Sequence, residues 1–167
     1  MNDKWITGLF TNTVRANATV DSLLKQGYAQ KDVSLIMSEE TRTREFGHEE
    51  HGTKALEGAG VGAGVGGTVG AIAAAIAAIG TTLAIPGLGL FLAGPIAAGL
   101  AGAGAGGAVG SLVGGLVGAG IPKGRAELYE EGLRKGGIVV GIHTTSDEEA
   151  SRVEKMLEDM GAEKIRE

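Results

Sequence analysis

The chain has 167 residues, enough for one domain of ordinary size or a small domain with an appendage, and too few for a large enzyme. Its formal net charge of −5 argues against nucleic acid as a partner, because nucleic-acid-binding proteins carry clustered Lys and Arg that neutralise phosphates. It has no cysteine, which excludes disulfides, thiolate metal sites and a cysteine nucleophile.

Residues 1–45 are predicted to form a strand, a helix and a second strand, the first half of an α+β head. The stretch KWITGLF is strand-like, and DVSLIM predicts the second strand. Between them, TVRANATVDSLLKQG carries Ala16, Val20, Leu23 and Leu24 on one helical face and ends at Gly27, where a left-handed C-cap is expected. No basic region followed by an apolar run is found here, so we expect no secretory signal peptide and predict a cytoplasmic head.

Residues 46–57 are a charged connector that contains the sequence HEEH. His48 and His51 are three residues apart and would share one face of a helix. Nothing near them supplies a third and a fourth ligand, so we predict no metal site and no cofactor.

Residues 58–121 contain no Asp, Glu, Lys, Arg or His but hold 21 of the 31 glycines, and we call them the charge-free segment. Small residues recur at every fourth position along it, a pattern that lets two helix backbones approach closely. The predicted helix-packing glycines are Gly58, Gly62, Gly66, Gly70, Gly94, Gly102, Gly106, Gly110, Gly114 and Gly118.

These stripes predict two antiparallel helical arms joined by a turn. The turn is predicted in TTLAIPGLGLFLAGP, whose Pro and Gly residues interrupt helices. Each arm would be roughly 40 Å long at 1.5 Å per residue, which is enough to cross a hydrocarbon layer of about 30 Å. Large apolar residues such as Leu83 and Ile85 in the first arm are few, so the arms are expected to need packing against each other and against other copies.

The glycine-rich stretches have other interpretations. GAGVGG and GAGAGG match a dinucleotide-binding pattern, but neither follows a predicted strand and neither has an acidic residue about twenty positions on. A flexible linker would carry polar residues among its glycines, whereas here they are Val, Ala, Ile and Leu. Two alternatives stay open: a hairpin that enters a membrane, and a hairpin buried inside a soluble oligomer. If Leu116 faces lipid or a loose neighbour, changing it to Ile is expected to be mild.

Residues 122–167 predict a third amphipathic helix after Pro122, a strand over GIVVGIHT and a final helix. The final helix starts with Ser146 and Glu149 as a capping box and stops at Gly161. It carries Val153, Met156, Leu157 and Met160 at helical spacing, and AEKIRE after it is a candidate edge strand.

The two ends of the chain have matching patterns. ITGLFT and VVGIHT share a Gly-apolar-x-Thr pattern, and each precedes a helix and a weak strand. Two βαβ units of this kind form a ferredoxin-like sheet with two helices on one face. The predicted fold class is therefore α+β: a ferredoxin-like βαβ+βαβ head with an inserted Gly/Ala-rich antiparallel helical hairpin. The helix after Pro122 is available to lie against that sheet or its edge.

No enzymatic activity is predicted. Adjacent carboxylates such as Glu148 and Glu149 point about 100° apart on a helix, so they do not form a facing acid–base pair. His143 lies on a predicted strand without a partner at a recognisable spacing, and we expect a structural role for it.

Three stretches also carry a family likeness: the IPG turn, the GAGIP exit from the hairpin and the YEEGLRKGGIVV join from helix to strand. They are the most specific parts of a resemblance that covers nearly the whole chain: the order strand, helix, strand, charged connector, Ala/Gly hairpin, helix, strand and final helix resembles that of the bacterial general stress proteins with a YflT-like domain. The resemblance implies a bacterial, stress-related, non-enzymatic protein, and it supplies no catalytic residues.

Two functions follow as expectations. The first is a structural homo-oligomer that associates with or inserts into the cytoplasmic membrane through its hairpin. The alternative is a membrane-anchored regulatory module whose head senses a small molecule or a protein partner, with the ligand unknown.

Overall fold

The computed structural model describes residues 4–46, 71–72, 75–76, 82–85, 89–98, 112–118 and 121–163. Over these residues the chain is an α+β protein in which helices flank an antiparallel sheet. The strands are β1 (Lys4–Phe10), β2 (Val33–Ser38), β3 (Thr82–Ile85), β4 (Leu90–Ala93) and β5 (Ile138–Thr144). The helices are α1 (Thr13–Lys25), α2 (Glu39–Phe46), α3 (Leu112–Gly118), α4 (Lys123–Arg134) and α5 (Asp147–Asp159), and a 3₁₀ turn spans Gln30–Asp32.

The sheet has the strand order β1-β5-β2-β4-β3, and all neighbouring strands are antiparallel. The three strands predicted in the head, β1, β2 and β5, are confirmed. β5 lies between the other two, so that Gly141 is opposite both Thr7 and Ser34. In the candidate strand after α5, Glu163 forms an isolated antiparallel bridge with Leu9.

One face of the sheet, which we call the first face, is covered by α1 and α5. Successive strand residues point to opposite faces, so every second strand residue is buried here, for example Phe10, Leu35 and Val140. The helices contribute buried residues of the predicted apolar rows, Ala16, Val20 and Leu23 from α1 and Val153 and Leu157 from α5, and α5 adds Ala150. Leu24, Met156 and Met160, also predicted for these rows, are only partly buried.

The opposite face, the second face, is covered by α3 and α4. Leu112 and Leu116 of α3 and Tyr129 and Leu133 of α4 are buried against strand residues such as Val139. The helix predicted after Pro122 is therefore packed on the sheet.

The predicted helix ends are largely confirmed. Gly27 and Gly161 follow α1 and α5 with φ values of +95° and +86°, a conformation that glycine adopts at low cost. Ser146 Oγ accepts a hydrogen bond from the Glu149 nitrogen at 3.2 Å. The Glu149 carboxylate accepts in return from the Thr145 nitrogen at 2.9 Å, one residue before the position that a capping box predicts.

The centre of the charge-free segment differs from the prediction. The stretch predicted as a turn between helical arms forms a β-hairpin of β3 and β4, and β4 pairs with β2. Leu83 and Ile85, expected on the first helical arm, therefore lie in a strand. Pro and Gly between two apolar runs also favour a strand reversal, and the edge of β2 supplies the backbone hydrogen-bond partners that strands require.

The parts of the charge-free segment on either side of this β-hairpin contact opposite faces of the sheet. Ile72 and Ala75 are helical and belong to the first-face core, whereas Leu112 and Leu116 belong to the second-face core. At these residues the sheet separates the two predicted arms, so they do not pack on each other there. Residues 95–98, at the start of the predicted second arm, are helical, and Ile96 and Ala97 also belong to the second-face core. Residues 58–70, 73–74, 77–81, 99–111 and 119–120 of the two arms lie outside the described residues.

Candidate functional site

The site predicted from the sequence is the set of ten glycines in the charge-free segment. Seven of them lie outside the described residues: Gly58, Gly62, Gly66, Gly70, Gly102, Gly106 and Gly110. The other three, Gly94, Gly114 and Gly118, lie in two separate places.

Gly94 follows β4 directly and has a φ of +95°. A Cβ at this position would overlap the Val33 carbonyl oxygen and lie 2.9 Å from Ser34 Cα. Residues with side chains rarely adopt this φ, and a side chain does not fit between backbones this close. The helix–helix contact predicted at Gly94 is therefore wrong, because its backbone lies against strand β2.

Gly114 and Gly118 lie on the exposed side of α3, together with Val117, which is 43% exposed. The spacing i, i+3, i+4 places the three residues on one helix face, which we call the outer face of α3. No residue of α3 is charged. The outer face is thus an uncharged surface with two glycines and one apolar side chain.

The inner side of α3 fixes this helix to the head. Leu112 and Leu116 are buried in the second-face core, and Leu116 is fully inaccessible. The possibility that Leu116 faces lipid or a loose neighbour is therefore wrong. At the end of α3 the Ile121 nitrogen donates to the Leu116 carbonyl oxygen at 3.0 Å, which closes the connection to α4.

A second contact of the charge-free segment lies on the first face. Asn17 of α1 is only 3% exposed, and its Oδ1 accepts a hydrogen bond from the Ile72 nitrogen at 3.0 Å. Ile72 and Ala75 are fully buried beside it. Asn17 is not among the residues predicted from the sequence. The available signal was its position three residues before Val20, which places a polar side chain on the apolar row of α1.

A buried hydrogen bond joins α4 to the middle of the sheet. The Tyr129 hydroxyl donates to Thr7 Oγ1 at 2.8 Å, and both residues are fully buried. Burial raises the pKa of Tyr129, and the hydrogen bond to Thr7 and the positive charge of Arg125 partly oppose this shift. Tyr129 therefore acts at neutral pH as an uncharged donor that fixes α4 on the sheet. On the neighbouring strands β1 and β5, the ring centroids of Trp5 and His143 lie 5.1 Å apart.

The described surface contains two depressions, among others, that could be considered as ligand sites. The first has a volume of about 190 Å³ and lies where α3, α4 and β4 meet; it is lined by Ser38, Gly89, Leu90, Leu112, Glu130, Leu133 and Arg134. The second has a volume of about 540 Å³ and is lined by Gln26, Gly27, Tyr28, Ala29, Lys31, Asp32, Glu149 and Arg152. Burial, followed by the Glu149 carboxylate, raises the pKa of Tyr28. Both depressions mix charged and apolar groups, and their geometry points to no particular reaction.

Neither a metal centre nor a membrane span is found in the described part of the chain. Within it, His, Asp and Glu side chains form no group of three or more that would hold a metal ion. His48 and His51 lie outside the described residues. Among the helices whose residues are described, none combines the length and the apolar character that crossing a bilayer requires.

No family model, curated protein or solved structure matches this chain. Its function is therefore inferred from its own residues.

Proposed function

We propose that this chain is a non-enzymatic structural protein that self-associates through its charge-free segment, with the outer face of α3 as a contact surface. The observation that carries this proposal is the grouping of Gly114, Val117 and Gly118 on one uncharged, exposed helix face. Glycines on one face let a second helix approach closely, and burial of the valine removes apolar surface from water.

The anchoring of α3 supports this role. Because Leu112 and Leu116 are buried in the second-face core, the outer face has a fixed orientation on the head. A surface that is already ordered loses little conformational entropy when it binds, which favours association. A second copy offers the same small-residue surface, so a two-fold contact between outer faces is self-complementary.

We further propose that the head is ferredoxin-like. In such a fold two βαβ units interleave, so that each outer strand lies antiparallel to an inner strand of the other unit. The order β1-β5-β2, the helices α1 and α5 on one face, and the bridge of Glu163 beside β1 agree with this arrangement. The hairpin β3–β4 would then be an extension of the sheet beyond β2.

Membrane association is a second candidate role for the charge-free segment. It is favoured by the absence of charged residues over 58–121, because a charged side chain is costly in hydrocarbon. A role in a bacterial stress response is proposed on the resemblance to the general stress proteins with a YflT-like domain.

A matched pair of variants tests the self-association. Val117 and Val14 are exposed large apolar residues of the described surface, 43% and 54% accessible, and Val14 lies on α1, which packs on the other face of the sheet from α3. We expect Val117→Lys to lower the mass of the full-length protein, measured by light scattering without detergent, towards the 16.8 kDa of one chain. We expect Val14→Lys to assemble like the wild type. Equal masses for the two variants and the wild type would contradict the proposal.

Flotation of the same three proteins with phospholipid vesicles tests the second candidate role. If the charge-free segment binds lipid, the wild type floats with the vesicles. A wild type that stays in the soluble fraction excludes the membrane as its partner under those conditions.

A further inference from the structure

The larger of the two depressions lies between a loop and a helix of the head. The loop connects α1 to β2, and the helix is α5, which contributes Glu149 and Arg152. The volume of about 540 Å³ falls within the range of about 300–1,000 Å³ that is usual for small-molecule sites. Tyr28, one of the lining residues, packs against the first-face core, so the depression lies on the other side of the sheet from α3.

Backbone hydrogen bonds hold the loop wall of this depression in place. Gly27 has a φ of +95°, and the Tyr28 nitrogen donates to the Leu23 carbonyl oxygen at 3.2 Å, which closes the end of α1. In the 3₁₀ turn that follows, the Asp32 nitrogen donates to the Ala29 carbonyl oxygen at 2.9 Å. The half-buried ring of Tyr28 is therefore presented from an ordered loop.

The carboxylate of Glu149 is also held in place on the helix wall. Its Oε2 accepts from the Thr145 nitrogen at 2.9 Å and from Thr145 Oγ1 at 3.2 Å. Both bonds use the same oxygen, and within the described part of the chain Oε1 of Glu149 accepts no hydrogen bond. A carboxylate oxygen in a fixed position is thus available to a donor in the depression.

A charge of opposite sign lies beside this carboxylate. Arg152 follows Glu149 by three residues, so both side chains project from the same face of α5. Burial and the Glu149 carboxylate raise the pKa of Tyr28, whereas the Arg152 guanidinium lowers it, so both charges act on the Tyr28 hydroxyl. One aromatic ring, one anion and one cation therefore lie close together.

The balance of charge around the depression limits the kind of ligand. Lys31 and Asp32 on the loop add one further charge of each sign, so two cationic and two anionic side chains line the depression. A phosphate or another anion would meet two carboxylates, and a simple cation would meet two basic groups. A neutral molecule that carries one charge of each sign matches this lining better than either ion.

We propose that this depression binds a free apolar amino acid. The ligand carboxylate accepts hydrogen bonds from Arg152, the ligand ammonium group donates to Oε1 of Glu149, and the apolar side chain lies against the Tyr28 ring. The ordered loop and the fixed carboxylate lower the entropy that is lost on binding. This site is separate from the outer face of α3, so the inference does not depend on self-association.

Three related probes test the charge requirement with the wild-type, full-length protein. They are L-phenylalanine, phenethylamine, which lacks the carboxylate, and hydrocinnamate, which lacks the amino group. In calorimetric titrations we expect L-phenylalanine to bind, and the other two to bind about fivefold or more weakly, because each loses one partly exposed charged contact. Because no residue is changed, a folding defect does not affect this comparison.

Two matched pairs of variants locate the site. Glu149→Gln removes the negative charge but keeps an oxygen that accepts from Thr145, and Glu148→Gln makes the same change at the exposed neighbouring residue. Arg152→Gln removes the cation, and Lys155→Gln removes an exposed cation of α5 that does not line the depression. We expect Glu149→Gln and Arg152→Gln each to weaken L-phenylalanine binding about fivefold. The two control variants should bind like the wild type.

The outcomes decide the proposal. It is overturned if L-phenylalanine does not bind at millimolar concentrations, or if phenethylamine or hydrocinnamate binds as tightly as L-phenylalanine does. It is also overturned if Glu149→Gln and Arg152→Gln bind like their control variants, because the amino acid would then bind elsewhere. Binding that requires both charges of the ligand and both Glu149 and Arg152 supports it.

Discussion

Replacing Gly94 by alanine tests whether the charge-free segment is built into the sheet as described. Two costs add at this position. A residue with a Cβ loses about 1–2 kcal/mol in a left-handed conformation, and Gly94 has a φ of +95°. The new Cβ would also overlap the Val33 carbonyl oxygen and lie 2.9 Å from Ser34 Cα, and overpacking of this kind costs roughly 1–3 kcal/mol. The expected loss is therefore about 2–5 kcal/mol, a large part of the roughly 5–15 kcal/mol by which a domain is stable.

Gly27 supplies a matched control for this prediction. It has the same φ of +95°, but a Cβ there would meet no atom within 4 Å. Gly27→Ala should therefore cost only the conformational part, about 1–2 kcal/mol. Urea unfolding followed by circular dichroism and by the fluorescence of Trp5, the single tryptophan, measures both losses. Equal losses for the two variants would refute the close approach of Gly94 to β2.

Three further predictions concern the head and the connector. Tyr129→Phe should lower stability in urea by about 1–3 kcal/mol because the buried Thr7 hydroxyl loses its donor, and adding Thr7→Val should recover part of that loss. Burial raises the pKa of Tyr129 above its usual 10.0, so this group ionises at a lower pH in the unfolded protein than in the folded protein. Tyr129 should therefore leave the free energy of unfolding unchanged below about pH 10 and reduce it above that pH. Urea unfolding at several pH values should show a smaller decrease in the Tyr129→Phe variant. The double variant His48→Ala and His51→Ala should assemble as wild type does in light scattering, and stoichiometric zinc that is lost in this variant would contradict the prediction.

The helices and strands of the head could be predicted because their signals are local. In α5 the cap at Ser146, the buried Val153 and Leu157, and the terminal Gly161 all lie within one short stretch. Caps and a period of 3.6 residues describe contacts between near neighbours in the chain, so they are visible in the sequence.

The secondary structure of the charge-free segment could not be predicted in the same way. Where every residue is small or apolar, no alternation with polar residues distinguishes a buried side from an exposed one, or a helix from a strand. The runs TLAI and LFLA became β3 and β4 because β2 offers them an edge. That edge belongs to a distant part of the chain, and the Pro and Gly residues between the runs indicate only that the chain reverses.

Two buried polar contacts could also not be predicted from local sequence patterns. Asn17 meets Ile72 across 55 positions of the chain, and Tyr129 meets Thr7 across 122. A polar residue on an apolar helix row signals that a partner exists, but the sequence does not identify the partner. The face of α3 that carries Gly114 and Gly118 was predictable as a row of small residues, whereas its orientation away from the head depends on where Leu112 and Leu116 pack.

The most direct test of the central claim, self-association through the charge-free segment, is the mass of the Gly110→Leu protein in solution beside that of the wild type. Gly110 is the middle one of five glycines spaced by four, from Gly102 to Gly118, and a leucine there would force apart helices that pack along this row. Light scattering over a range of concentrations should give a wild-type mass well above the 16.8 kDa of one chain and a Gly110→Leu mass close to that value. A wild type that is monomeric throughout, or a Gly110→Leu protein that assembles as the wild type does, would contradict the claim.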